Sequence, residues 1–175
     1  MAEKELENEL VSKLRNGCGN ENTLEAIKIV HSTSAMSSFY DLCGDIPYEV
    51  FQDTSVWNPF PDLMMDVIGG MTPDIVIRSR VSGQNRIYIE VKETSPLNYE
   101  IDDSQVIRYF LHLLSTSDKR PKGYSDIARG ILLAAPSPWF RKPSNEKIWN
   151  YFREKYKDLA SVFGITIGEI RLDST

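Results

Sequence analysis

The sequence predicts an α/β domain built on a mixed sheet flanked by helices. Two observations carry that reading. Segments with helical apolar spacing alternate with short β-rich runs, in the order helix, helix, three strands, helix, strand, helix, strand. One late run, RGILLAAPSP, is apolar without interruption, the pattern of a strand covered on both faces.

The elements follow in order. Residues 3–15 place Leu6, Leu10, Val11 and Leu14 at helical spacing, and NGCGN stops that helix. A second helix is expected through NTLEAIKIVHSTSAMSSFYDL, with Leu24, Ile27, Ile29, Val30 and Met36 on its apolar faces. IPYEVFQDTSVW reads as a strand, closed by a loop at NPFPD. A two-stranded ribbon comes next, over residues 72–94. Asp102, Asp103 and Ser104 suit the N-terminus of SQVIRYFLHLLSTS, a helix with an apolar stripe. After the buried run, SNEKIWNYFREKYKDLASVF is an amphipathic helix, with Ser144 as its cap and Ile148, Tyr151, Phe152 and Leu159 facing inward. Gly164 ends it, and ITIGEIRL is the last strand.

The chain has 175 residues, 41% hydrophobic and 26% charged, which suits one domain over residues 1–175 with a sizeable core. No apolar stretch approaches the roughly 20 residues that span a bilayer. MAEKELENEL is too acidic for a secretory leader, and Cys18 and Cys43 lack metal or disulfide spacing. A cytoplasmic, intracellular protein away from membranes is expected. The formal charge of −5 excludes indiscriminate adhesion to nucleic acid, so such a partner needs a focused basic site. Arg78, Arg80 and Arg86 around the ribbon, DKRPK and WFRK are the candidate clusters.

The ribbon TPDIVIRSRVSGQNRIYIEVKET carries the chemistry. Residues two apart in a strand share a face, so Glu90 and Lys92 point together while Ile87, Ile89 and Val91 point to the core. A solvated face would present such a pair too, but Asp74 begins the neighbouring strand and the hairpin returns it to the same end. Two carboxylates beside one lysine describe a hard-cation site with a charged donor. Parity sets a condition on it. If SGQN were a four-residue connection, Val81 would pair with Arg86, and Asp74 would leave the sheet on the side away from Glu90. A shared site needs an even register, through a connection of residues 82–84 alone or through a bulge between residues 73 and 92. Gly83 can take the positive φ that the turn demands.

PD, fifteen residues, then EVK resembles the PD-(D/E)xK nuclease superfamily, and the order of elements resembles its restriction-endonuclease-like αβββαβ core, over about residues 20–137. The resemblance implies a metal-dependent phosphodiesterase. Asp74, Glu90 and the backbone of Val91 would bind Mg²⁺ or Mn²⁺, and Lys92 would orient the attacking water and steady charge on the phosphate. QVIRY resembles the QxxxY motif of RecB-like and Holliday-junction-resolvase-like relatives, which gives Gln105 a catalytic and substrate-holding role and Tyr109 a substrate-holding one; the two are four apart and share a helix face. RecB-like enzymes add a histidine from a helix before the first strand, here His31. Other members use a first-helix glutamate, for which Glu7, Glu9 or Glu25 would serve, and LENELVSKL resembles that helix in archaeal junction resolvases. DNA is preferred to RNA as substrate, and a homodimer is left open.

Two rivals stand beside this reading. His31, an acidic residue near the first strand (Asp45 or Glu49), TPD and ExK also resemble cap-snatching RNA endonucleases, whose pattern lacks QVIRY. A nuclease-like fold used only for binding is the other, and it should bind no Mn²⁺. Trp139, Trp149 and Tyr156 read as core aromatics, and Asp62 and Asp66 as loop caps.

Overall fold

A computed structural model describes residues 2–54, 72–97, 105–115 and 125–172. The elements in chain order are α1 (Glu3–Gly17), α2 (Glu21–Ala26), β1 (Lys28–Val30), β2 (Met36–Ser38), α3 (Phe39–Cys43), β3 (Tyr48–Gln52), β4 (Ile75–Ser79), β5 (Asn85–Val91), α4 (Gln105–Ser115), β6 (Arg129–Ala135), α5 (Ser137–Arg141), α6 (Pro143–Val162) and β7 (Ile165–Arg171). Among the described residues the strands form one seven-stranded mixed sheet, ordered β2-β1-β7-β6-β5-β4-β3. The α/β class with helices on both faces is the one that the sequence pattern predicts.

Alternation along β5 decides which residue meets which layer. Ile87, Ile89 and Val91 enter a core with Leu10, Val11 and Leu14 of α1, Leu24 of α2 and Phe39 of α3. Tyr88 enters a second core with Val106, Tyr109 and Phe110 of α4, Trp139 of α5 and Trp149 and Phe152 of α6. Because both faces are covered, Glu90 and Lys92 are only 2% and 6% exposed. A wet sheet face therefore does not account for them.

β4 runs antiparallel to both its neighbours, β3 and β5, whereas β5, β6 and β7 run parallel and β1 is antiparallel to β7. One edge of the sheet thus collects the C-terminal ends of β3, β5, β6 and β7 with the N-terminal ends of β4 and β1. In an open α/β sheet, ligands bind outside the carboxyl ends of the parallel strands.

The parity condition is met by a bulge. Ile75 pairs with Ile89 and Ile77 with Ile87, an even register, whereas Arg78 pairs with Asn85; the shift falls between Ile77 and Arg78. Gly83 turns the ribbon at φ +71°, conformationally free for glycine alone.

Two expectations are corrected. The helix expected over residues 22–42 is instead α2, the hairpin β1–β2 and α3. Ile27, Ile29 and Val30 are β-branched and stiff at χ1, which favours a strand, and Ser34 makes the turn at φ +66° with its N–H on the His31 carbonyl at 2.9 Å. At α6, Ser144 does not cap; it lies inside the helix, which starts at Pro143, whose fixed φ suits the first helical position. Burying Trp149 sets the phase of that helix. Phe152 is buried and Ile148 half-buried, whereas Tyr151 and Leu159 are 57% and 39% exposed rather than inward. The NPFPD loop, Asp62, Asp66, Asp102, Asp103, Ser104 and DKRPK lie outside the described residues.

Candidate active site

At the collecting edge, the even register carried one step beyond Ile75–Ile89 sets Asp74 opposite Glu90. The Val91 N–H donates to Asp74 Oδ2 at 2.8 Å, which pins the aspartate against the end of β5. Glu90 takes a hydrogen bond from the Tyr109 hydroxyl at 2.6 Å and faces Lys92 Nζ at 3.2 Å. The two carboxyl groups are themselves within hydrogen-bonding reach. Asp74, Glu90 and Lys92, grouped by the pattern of the ribbon, are brought together.

Glu7 joins them from the other face. It occupies the buried stripe of α1 with Leu10, Val11 and Leu14, so the helix packing that buries the leucines also delivers the carboxylate. Glu7, Asp53 and Asp74 each offer an oxygen, and these atoms all lie within 4.8 Å of one another. Asp53 closes β3 at φ +51°, with its N–H on the Asp74 carbonyl at 3.1 Å. Gln52 donates to Glu7 at 2.7 Å, and Lys4 pairs with Glu7 at 2.5 Å and with Asp53.

The charges are under-compensated. Burial, and then the neighbouring Glu90 charge, push the Asp74 carboxyl up to about 8. Glu90 is also raised, by burial, against the opposing pull of Lys92 and Tyr109. Both carboxyls are held above the usual range chiefly by burial, and for Asp74 the neighbouring Glu90 charge adds to it. A hard divalent cation takes oxygen ligands, and Glu7, Asp53 and Asp74 are the residues whose oxygens lie close enough together to hold one, with Glu90 beside Asp74.

The chain matches no family model, no curated protein and no solved structure.

Other expected residues fall elsewhere. His31 follows β1, three strands from β5 and therefore about 14 Å along the sheet, where its ring bonds the Ser37 hydroxyl at 2.7 Å. It is not brought to the acidic cluster, because the segment that carries it is a hairpin and not a helix over the first strand. Glu9 and Glu25 are exposed on α1 and α2, so Glu7 is the helix glutamate that reaches the site. Asp45 bonds the Tyr40 hydroxyl at 3.1 Å and Glu49 pairs with Arg80 at 3.3 Å. Tyr109 is 2% exposed, and its hydroxyl donates to Glu90. Val91 contributes its N–H, to Asp74. The Gln105 side chain lies outside what is described. Arg78, Arg80 and Arg86 gather at the turn end of the ribbon, where Arg78 stacks 4.5 Å from the Phe51 ring and Arg86 is buried against Asp126 at 3.5 Å.

In the sequence Glu7 is one of three alternatives, and Asp53 is passed over. Glu7 had a signal: a charged residue on the i, i+3, i+7 stripe that it shares with Leu10 and Leu14. For Asp53 there was none beyond a carboxylate at the end of a strand.

Proposed function

We propose that this chain is a metal-dependent nuclease that hydrolyses phosphodiester bonds, with DNA as the preferred substrate and Mg²⁺ or Mn²⁺ as cofactor. The observation that carries the reading is the convergence of Asp74, Glu90 and Lys92 at one strand end, with Glu7 supplied by the first helix. The order α1, β3, β4, β5, α4, β6 supports a restriction-endonuclease-like core, with the β1–β2 hairpin and α3 inserted ahead of β3. Glu7 favours the junction-resolvase-like arrangement over the histidine one. The cap-snatching pattern needs His31, which sits three strands away.

A bound divalent cation supplies a water of lowered pKa and neutralises charge on the phosphate. The chain's residues do the rest. Asp74, held by the Val91 N–H, and Glu90, held by Tyr109, fix the position of the cation ligands. Lys92, drawn toward Glu90, is placed to orient the attacking water and to donate to a non-bridging phosphate oxygen. The cover of α4 over this face limits water around the reacting atoms.

The test is cleavage of linear, circular, single-stranded and double-stranded DNA and of single-stranded RNA with Mn²⁺, for the native chain and for Lys92→Ala. Cleavage is expected to fall by about 10²–10³-fold in Lys92→Ala with its fold intact. Equal turnover in the two proteins would refute the assignment at these residues.

A further inference from the structure

A second row of charge crosses the same sheet edge. Val91 pairs with Ala134, so the next position sets Lys92 level with Ala135, and Ala135 pairs with Arg171. Val30 pairs with Glu169 across the antiparallel β1–β7 contact, so the same register continued two residues sets Lys28 level with Arg171. Lys92, Ala135, Arg171 and Lys28 therefore lie in one line over β5, β6, β7 and β1. They also share a face: Ala135 belongs to the core under α4–α6, and Arg171 lies two residues from Glu169, which bonds Trp149 of α6. Strand spacing puts Arg171 about 10 Å from Lys92 and Lys28 about 5 Å beyond it.

Arg171 is built into place. Its Nε and Nη2 donate to Glu169 at 3.3 and 3.1 Å, and its guanidinium lies 5.4 Å from the Phe140 ring of α5. Arg153 binds the same carboxylate at 3.1 Å, so two guanidiniums share one negative charge and the cluster keeps a net cation. Arg141 and Lys142, at the end of α5 next to Phe140, are exposed. The acidic residues at this edge, Glu7, Asp53 and Asp74, lie toward β3 and β4. The edge is thus acidic on one side of Lys92 and basic on the other.

We infer that Arg171, Lys28 and the Arg141–Lys142 pair form a track for the phosphate backbone of a nucleic-acid strand leaving the site over β6, β7 and β1. The track rests on the nuclease reading for what lies at its Lys92 end. At roughly 15 Å the row is long enough to meet more than one phosphate of a strand. This is the focused basic surface that a chain of charge −5 needs. Glu25 and Asp41 stand beside Lys28, so its share is the smaller.

The experiment titrates a fluorescein-labelled single strand of about 20 nucleotides with native protein in EDTA, over a range of salt, and repeats it with Arg171→Ala, Lys28→Ala and the Arg141→Ala/Lys142→Ala double variant. Removing one cation that neutralises a phosphate should lower the slope of log K against log salt by about 0.7, equally for different base sequences. Arg171→Lys should restore most of that slope, which separates missing charge from a damaged fold, and the exposed double variant has no buried partner to disturb. Native affinity and slope in all three alanine proteins would overturn the track. Should the native chain cleave DNA while those variants bind normally, the track fails and the nuclease reading survives. Should it cleave nothing while they bind more weakly, the track stands and the nuclease reading fails.

Discussion

Glu90 and Glu169 are two buried glutamates on the same face of the sheet, level with each other through Leu133 and two strands apart. Both are almost without exposure, at 2% and 3%. Their partners differ. Glu169 receives the Trp149 N–H at 2.9 Å and two guanidiniums, more positive charge than it carries. Glu90 has one lysine and one tyrosine, and a second carboxyl, Asp74, stands beside it. A buried carboxylate that is over-supplied with donors is a structural fastener. One that is left with another carboxylate for company has few donors to offset it, which is the setting that the proposed cation would complete.

The comparison breaks if the two residues respond alike to the same change. Glu90→Gln should abolish Mn²⁺ binding in calorimetry and reduce cleavage to background, with melting temperature in EDTA unchanged or slightly higher, because one of two repelling carboxyls is gone. Glu169→Gln should keep Mn²⁺ binding and lose stability by about 3 kcal/mol, because Arg153 and Arg171 are left facing a neutral amide. Thermal melts and calorimetry on both proteins decide it. A Glu169 variant that loses metal but not stability would reverse the two roles.

Acidity sharpens the same contrast. The Asp74 carboxyl titrates near 8 in the folded chain against an ordinary value of 3.8, so the folded state binds the proton more tightly. Its contribution to stability is complete below about pH 4 and is lost progressively as pH rises toward 8. In EDTA, the urea midpoint should therefore fall between about pH 5 and pH 8. Asp74→Asn should flatten that fall, and Mn²⁺ should oppose it, since a cation favours the ionised pair. A slope unaffected by Asp74→Asn would place the titration elsewhere.

Tyr109 tests how much of the site depends on a residue that never reaches solvent. Tyr109→Phe removes one hydrogen bond to a charged acceptor, worth about 1.5–3 kcal/mol in such settings. Cleavage should fall by roughly tenfold or more through kcat, with oligonucleotide affinity unchanged. A weakened affinity at constant kcat would return Tyr109 to the substrate-holding role that QVIRY suggested.

Much of this was legible because the signal was local. The period of two in IYIEVK fixes which residues share a face, and parity required either an even register through a three-residue connection or a bulge, of which the bulge appears, between Ile77 and Arg78. RGILLAA announced a strand covered on both sides. The failures have one cause, contacts between residues distant in sequence. Ile29 and Val30 fit a helical stripe as well as a strand, and only pairing with β2 and β7 decides between them. Arg153, Glu169 and Arg171 are ordinary as letters, and become a cluster because α6 lies over β7. Glu7 could be chosen from its neighbours only after α1 was seen against the ends of β3 and β5.

The smallest effect belongs to Lys4. Its ammonium pairs with Glu7 at 2.5 Å and with Asp53, and these partners, Asp53 first, hold its pKa well above the usual lysine value. It lends positive charge to the acidic side of the site, much as Arg171 does to Glu169, but from a side chain that is 57% exposed. Water and salt screen such a pair, which is worth at most about 1 kcal/mol. Lys4→Met should accordingly tighten Mn²⁺ binding by no more than about fivefold, with the gain shrinking as salt is raised. Arg153→Met, beside the compensated glutamate, should leave Mn²⁺ affinity untouched. If Lys4→Met instead weakens Mn²⁺, the lysine is holding the ligands in place and not competing with the cation for them, and the contrast between an under-compensated and an over-compensated carboxylate would then concern geometry more than charge.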